Sequence, residues 1–144
     1  MMQITENFTL EELVQSKTAT TKGIDNTAPP AAFHALVALC KNVLQPARNA
    51  IGNIQVTSGY RCPKLNKIVG GSVSSQHVKG EAADLVCEDK AKLFNYIKDN
   101  LVFDQLIWEN GTDSQPAWVH VSYSMTHNRK QVLRKKQGGG YESY

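Results

Sequence analysis

The chain is expected to fold as an α+β domain, a small antiparallel sheet flanked by helices, and three observations predict it. Apolar residues recur at helical spacing from Phe33 through Leu36, Val37, Cys40, Val43 and Leu44 to Ala47, which marks one long amphipathic helix. Four short runs, Ile54–Ser58, Ala82–Val86, Phe103–Glu109 and Trp118–Tyr123, read as strands. The last two are joined by the polar Asn110-Gly111-Thr112-Asp113-Ser114-Gln115-Pro116, so a hairpin is the natural connection.

Each element has its local reason. Phe8-Thr9-Leu10-Glu11-Glu12-Leu13 opens with a capping box, Thr9 accepting from the amide three residues on while Glu12 reaches back, and a short helix to about Gln15 follows. Ser16 to Ala28 is polar and aperiodic and reads as a loop across the surface. Pro29-Pro30 suits the first turn of the long helix, which runs to about Ala50 with Pro46 inside it, where a kink or an early end is allowed. His34 projects off the apolar stripe as a surface residue. After the Ile54–Ser58 strand, Gly59-Tyr60-Arg61-Cys62-Pro63 breaks the period, and a turn at a strand end is a usual home for functional groups. Lys64 to Val69 makes a helical turn or two, stopped by Gly70-Gly71, and Ser72, Ser74 and Ser75 continue a flexible approach to His77. Asp89 to Asn100 is helical, with Ala91, Leu93, Phe94 and Ile97 inward and acidic Glu88 and Asp89 favouring its start. If Glu109 pairs opposite Trp118 in the hairpin, Ile107 faces His120, Gln105 faces Ser122, and Glu109 shares a side with His120. A one-residue slip would separate them. Residues 124–144 turn basic and then Gly-rich and are expected to form a mobile tail on a single domain spanning 1–144.

Composition excludes several classes. At 144 residues the chain suits one core burying about two thirds of its unfolded surface. Hydrophobic and charged fractions of 41% and 20% are those of an ordinary globular domain, which argues against disorder. No apolar run approaches the ~20 residues of a membrane-spanning helix. Met-Met-Gln-Ile-Thr-Glu-Asn lacks the basic and apolar regions of a signal peptide, so cytoplasmic synthesis is expected, with any action on a cell wall following release. Cys40, Cys62 and Cys87 are odd in number and widely spaced, which suits free thiols better than disulfides or a Cys-x-x-Cys site. The net charge of +3 is compatible with an anionic partner without pointing to one. Arg129-Lys130 and Arg134-Lys135-Lys136 lack interleaved aromatics and read as a solvated tail, so nucleic acid and membrane are not expected partners, and a monomer is expected.

The stretch Ser75-Gln76-His77-Val78-Lys79-Gly80-Glu81-Ala82-Ala83-Asp84 places an imidazole and a carboxylate seven positions apart, His77 on a loop and Asp84 on a strand. Taken bare, most such pairs are unrelated surface residues. A catalytic zinc takes three protein ligands and keeps a fourth position open, with nitrogen and carboxylate oxygen both acceptable. The best third donor is His120, because Ala117-Trp118-Val119-His120-Val121-Ser122-Tyr123 alternates like a strand and would hold an imidazole rigidly. His127 is the spare imidazole.

The pattern Ser-x-His-x-x-Gly-x-Ala-x-Asp, followed by Trp-Val-His-Val-Ser, resembles the D-alanyl-D-alanine carboxypeptidase family of zinc peptidases. That group includes peptidoglycan-cleaving phage endolysins and D-Ala-D-Ala dipeptidases, and shares a core fold with lysostaphin-type peptidases and the hedgehog signalling domain. The resemblance runs from roughly Phe8 to Tyr123 and implies His77, Asp84 and His120 as Zn2+ ligands. It also implies substrate contact at Arg61, where Ser-Gly-Tyr-Arg is similar to the family's substrate-binding strand end. A guanidinium there suits a free carboxylate, which it can grip bidentately. Ser75, within the ligand pattern, is the second substrate-binding candidate.

The function so implied is zinc-dependent hydrolysis of peptidoglycan stem peptides, as a D-Ala-D-Ala carboxypeptidase or an endolysin-type endopeptidase. Zinc would lower the pKa of a water and polarise the scissile carbonyl, while a carboxylate takes the proton and passes it to the leaving amine. Glu109 is the candidate catalytic base, Asp113 the second and Glu81 a third. The chain departs from the resemblance where many members carry a catalytic Glu three residues before the last ligand, here Ala117. Another branch has His five before it, here Gln115. The alternative is a non-catalytic zinc-containing binding domain of the same fold, and a third reading is an interaction domain without metal.

Overall fold

Thr9 caps the first helix with the expected box: its Oγ1 accepts from the Glu12 amide at 3.2 Å, and the Glu12 carboxylate accepts from the Thr9 amide at 3.3 Å. The computed structural model describes residues 1–144. A two-stranded antiparallel pair, β1 (Gln3–Thr5) and β2 (Phe8–Thr9), leads into α1 (Leu10–Val14). The stretch expected as a loop after it contains α2 (Lys17–Lys22), with Ser16 capping through the Ala19 amide and left-handed Gly23 closing it.

The long helix is continuous from α3 (Pro30–Leu39) through a π-helical turn (Cys40–Leu44) to α4 (Gln45–Ile51). Pro46 has no amide hydrogen for the ladder, and the chain absorbs the defect one residue earlier, the Gln45 amide donating five residues back to the Cys40 carbonyl. Leu36, Leu39, Cys40, Val43, Leu44 and Ala47 along this helix are buried.

The remaining elements are β3 (Gln55–Ser58), α5 (Pro63–Ile68), β4 (Ala82–Val86), α6 (Lys90–Asn100), β5 (Gln105–Glu109), β6 (Trp118–Ser122), β7 (Gln131–Lys135) and β8 (Tyr141–Ser143). Strands β3 to β8 form one sheet in the order β3-β4-β6-β5-β7-β8. Every neighbouring pair is antiparallel except β5 and β7, which run parallel, so the larger sheet is mixed and the expectation of an antiparallel one is corrected. Alternation sends Ala83, Leu85, Leu106, Trp108, Val119 and Val121 into the core shared with the long helix and α6. The opposite face carries Asp84, His120, Ile107 and Glu109. No helix is long and apolar enough to cross a membrane.

Much of the segment expected as a tail is folded into the sheet. Leu106 pairs with Val132, and Trp108 with Arg134. Arg134 is buried, its Nη2 2.6 Å from Asp113 Oδ1 and its guanidinium 5.8 Å from the Trp108 ring and 5.4 Å from that of Tyr144. The basic cluster is therefore not simply a solvated tail: one of its arginines is core packing, and a second is a clamp.

That clamp is Arg129 on Asp104. The buried carboxylate accepts from Arg129 Nε at 2.9 Å, Nη2 at 2.8 Å and the backbone amide at 3.0 Å, and from Gln76 Nε2 at 2.9 Å. The Arg129 guanidinium, against the opposing effect of burial, brings the Asp104 pKa from an ordinary 3.8 down to about 2. A depressed carboxylate contributes stability above its unfolded pKa and loses it as pH falls through the folded one. Asp104→Asn should therefore cost roughly 1–2 kcal/mol near pH 6, discounted because half of the Arg129 side chain is in solvent. The gap to wild type in denaturation midpoints should close between about pH 4 and pH 2.

Candidate metal centre and cleft

The two sheet-borne ligands are direct cross-strand neighbours. Asp84 on β4 lies opposite His120 on β6, and His120 lies opposite Ile107 on β5. The hairpin has the register that places Glu109 opposite Trp118, which puts Glu109 on the same face as His120, one diagonal away.

His77 reaches this face from a tight loop. Ser75 Oγ accepts from the His77 amide at 3.2 Å, and the His77 carbonyl accepts from the Arg61 amide at 3.1 Å and the Gly80 amide at 3.3 Å. Two glycines let the backbones approach. A Cβ on Gly59 would run into the Leu13 carbonyl, and one on Gly80, where φ is +74°, into that of Ala32. Gly80→Ala should cost about 1–3 kcal/mol from the left-handed backbone alone, read as a lower urea midpoint.

The His77 ring is 3% exposed, and its Nδ1 lies 2.7 Å from the Gly59 carbonyl. A carbonyl only accepts, so Nδ1 is protonated, and Nε2 is the nitrogen that would offer a lone pair to a metal. That Nε2 lies 3.4 Å from Asp84 Oδ1, and His120 Nδ1 lies 3.0 Å from the same oxygen. All three donor atoms fall within 4.8 Å of one another. Ligands about 2.1 Å from one ion at the tetrahedral angle stand about 3.4 Å apart, so the cluster has the donor chemistry and nearly the spacing of a zinc site. Burial works against ionisation of Asp84, but hydrogen bonds to His120 and His77 outweigh it and hold the carboxyl well below the usual range. The acid is thus ready as an anionic ligand.

Arg61 stands beside the cluster with each nitrogen engaged: Nε on Ser58 Oγ at 3.1 Å, Nη1 on Asn66 Oδ1 at 3.1 Å, and Nη2 3.5 Å from Asp84 Oδ2. Three of its five N–H groups are thereby directed at the protein, and two remain for a ligand. Ser75 lines the same cleft, and its Oγ, accepting from His77, keeps its proton to donate.

Glu109 is 7% exposed, and its Oε1 has no hydrogen-bond partner. Burial pushes its pKa up, with the Asp84 charge adding to the effect and His120 and Lys135 opposing it. A buried carboxylate of raised basicity facing a cleft has the character of a proton acceptor. Glu81 also lines the cleft, accepting from Gln76 Nε2 at 3.4 Å. Asp113 does not. It is drawn to Arg134, on the core side of the sheet, so it stands away from the cluster. Gln115 is committed elsewhere, its Oε1 accepting from the Lys90 and Ala91 amides at 3.0 and 3.1 Å to cap α6. His127 is exposed at the cleft wall, and His34 is exposed on α3.

The cleft holds about 730 Å³ and is mostly polar, with Ile107, Trp118, Leu133 and Tyr141 as its large nonpolar surfaces. Leu133 and Tyr141 were not foreseeable as lining residues, because only the parallel placement of β7 beside β5 brings them there. Trp118 is brought in by the hairpin register, which sets it directly opposite Glu109 on the face that carries His120.

Two comparisons with known proteins bear on this geometry. A model of the Peptidase M15 family matches residues 6–122. The zinc D-Ala-D-Ala carboxypeptidase of Streptomyces albus G is 40% identical over 81 residues, covering 55% of this chain and 31% of that protein. The chain thus spans about a third of the length of that curated relative. With most of its length matched, and with a His-Asp-His cluster fit for zinc inside the matched region, the chain belongs to the Peptidase M15 family of zinc peptidases.

Proposed function

We propose that the protein is a zinc-dependent peptidase that hydrolyses peptide bonds of peptidoglycan stem peptides, with the D-Ala-D-Ala terminus as its preferred target. The observation that carries the reading is the convergence of His77, Asp84 and His120 on one sheet face that also carries Glu109, buried and with one oxygen unpartnered. His77 Nε2, Asp84 Oδ1 and His120 Nδ1 would hold the ion. When bound, zinc supplies Lewis-acid polarisation of the scissile carbonyl and a nucleophile at neutral pH.

The rest falls to the chain's own residues. Glu109 accepts the proton of the attacking water and returns it to the leaving amine nitrogen as the C–N bond breaks. Arg61 keeps the Asp84 carboxylate in place and offers its two spare N–H groups to the terminal carboxylate of the substrate. Ser75 fixes the His77 amide and donates its hydroxyl into the cleft. The relative from Streptomyces albus G is named for the same dipeptide terminus, which supports this choice of substrate.

Digestion of purified peptidoglycan, followed by mass analysis of the fragments, tests the proposal. Release of free D-alanine supports carboxypeptidase action, and internal stem fragments would replace it with endopeptidase action. Activity should vanish with a chelator and return with zinc. A second reading, a zinc-containing binding domain that cleaves nothing, draws on Ala117 and Gln115 standing where relatives carry catalytic groups. Intact peptidoglycan after digestion with the zinc-loaded protein would favour it.

A further inference from the structure

Beyond the matched residues 6–122, the chain adds a wall to the cleft. Strand β7 pairs with β5 so that Leu133 lies beside Ile107 and Lys135 beside Glu109, and β8 continues the second row by placing Tyr141 opposite Lys135. One row of the open face therefore reads Trp118, Glu109, Lys135, Tyr141 across β6, β5, β7 and β8. Tyr141 is 57% exposed and lines the same cleft as Arg61 and Glu109. A large aromatic left half in solvent at the edge of a polar cleft adds little to the core. Its ring and its hydroxyl are both available to a ligand.

We propose that Tyr141 is a substrate-contact residue that grips the peptide on the acyl side of the scissile bond. The assignment rests on the peptidase reading above and on Arg61 as the receptor for the terminal carboxylate. Along the sheet, Arg61 lies next to Asp84 on the β3 and β4 side, the ligand cluster follows at β4 and β6, then Glu109 on β5, and Tyr141 is last. A peptide whose C-terminus is held at Arg61 and whose bond is cut at the cluster extends its N-terminal part toward β8. Strands stand about 4.8 Å apart, so β8 lies about 14 Å beyond β6, where the cluster ends, and an extended peptide advances roughly 3.4 Å per residue. Tyr141 therefore meets the substrate roughly four residues upstream of the cut, packing its ring on the chain and donating its hydroxyl to a peptide carbonyl. A short acylated dipeptide does not fill that position, and a stem pentapeptide does.

The test compares the zinc-loaded wild type with Tyr141→Phe and Tyr141→Ala on an acylated D-Ala-D-Ala dipeptide and on a stem pentapeptide. The alanine variant should lose about tenfold more kcat/KM on the pentapeptide than on the dipeptide, mainly through KM, with the phenylalanine variant between. Equal losses on the two substrates, or none, would overturn the assignment. Calorimetric binding of the pentapeptide to zinc-loaded Glu109→Gln, with and without Tyr141→Ala, reads the contact without turnover, and affinity should weaken about tenfold. Tyr141-dependent binding without cleavage by the wild type would end the peptidase reading and leave the contact standing, whereas no pentapeptide binding would end both. The thermal midpoint of Tyr141→Ala should match wild type, and a lowered midpoint accompanying the lost affinity would mark a structural role instead.

Discussion

Glu109→Gln should leave zinc stoichiometric and the fold intact while lowering kcat by 10²–10⁴, the range of a positioned general base. The substitution keeps the shape of the side chain and removes the site that takes the proton. Because the Glu109 carboxylate is buried with one oxygen unpartnered, an amide in its place costs little in stability. Steady-state turnover of a stem peptide, paired with metal analysis of the same preparation, separates the two effects. Unchanged kcat with bound zinc would remove Glu109 from the chemistry and leave Glu81 as the candidate base in the cleft, Asp84 being a ligand and Asp104 held by Arg129. The acid limb of the pH–rate profile should disappear with the variant. With its pKa raised chiefly by burial, Glu109 places that limb above the ordinary glutamate range.

Asp84→Asn should abolish both metal retention and activity. The carboxylate is the single negative charge among two imidazoles and the Arg61 guanidinium, and both of its oxygens are engaged. An amide offers zinc a poorer ligand and leaves Arg61 without its ionic partner in a largely buried setting, where breaking a pair costs on the order of 3–5 kcal/mol. The variant should emerge from a desalting column with less than a tenth of the wild-type zinc content, no measurable turnover and a clearly lower urea midpoint. Since Asp84 is held as an anion, the wild-type protein should keep this contribution down to the usual carboxylate range and lose it as pH falls below that range, whereas the variant shows no such loss. Full zinc occupancy in Asp84→Asn would show that the metal sits elsewhere.

The parts of the site that could be read ahead of the structure are those carried by local periodicity. Strand Ala82–Val86 has the bounds expected of it, and the polar connection marks the hairpin while leaving its register open to a one-residue slip; the structure takes the Glu109–Trp118 alternative. The Thr9 capping box is a four-residue rule and held. The failures are equally specific. Helix α2 carries little apolar stripe, so its only signals were Ser16 and Gly23 at its ends, and a polar sequence between them concealed it. Strand β7 was missed because its inward residue at one position is Arg134, buried through Asp113, Trp108 and Tyr144, none of which is near it in the chain except the last. The same ion pair settles Asp113, which loop position alone had left as a candidate base. Parallel partners leave no turn to mark them, so the cleft wall formed by Leu133 and Tyr141 had no local signature.

The parallel neighbour relation of β5 and β7 also orders events in time. A ribosome delivers His77, Asp84 and His120 before it delivers residues 131–143, and β7 cannot dock until the hairpin it flanks exists. The ligand triad is therefore written entirely ahead of the far bank of the groove. A chain stopped short of β7 would keep all three candidate ligands and lack the Leu133 and Tyr141 bank of the groove.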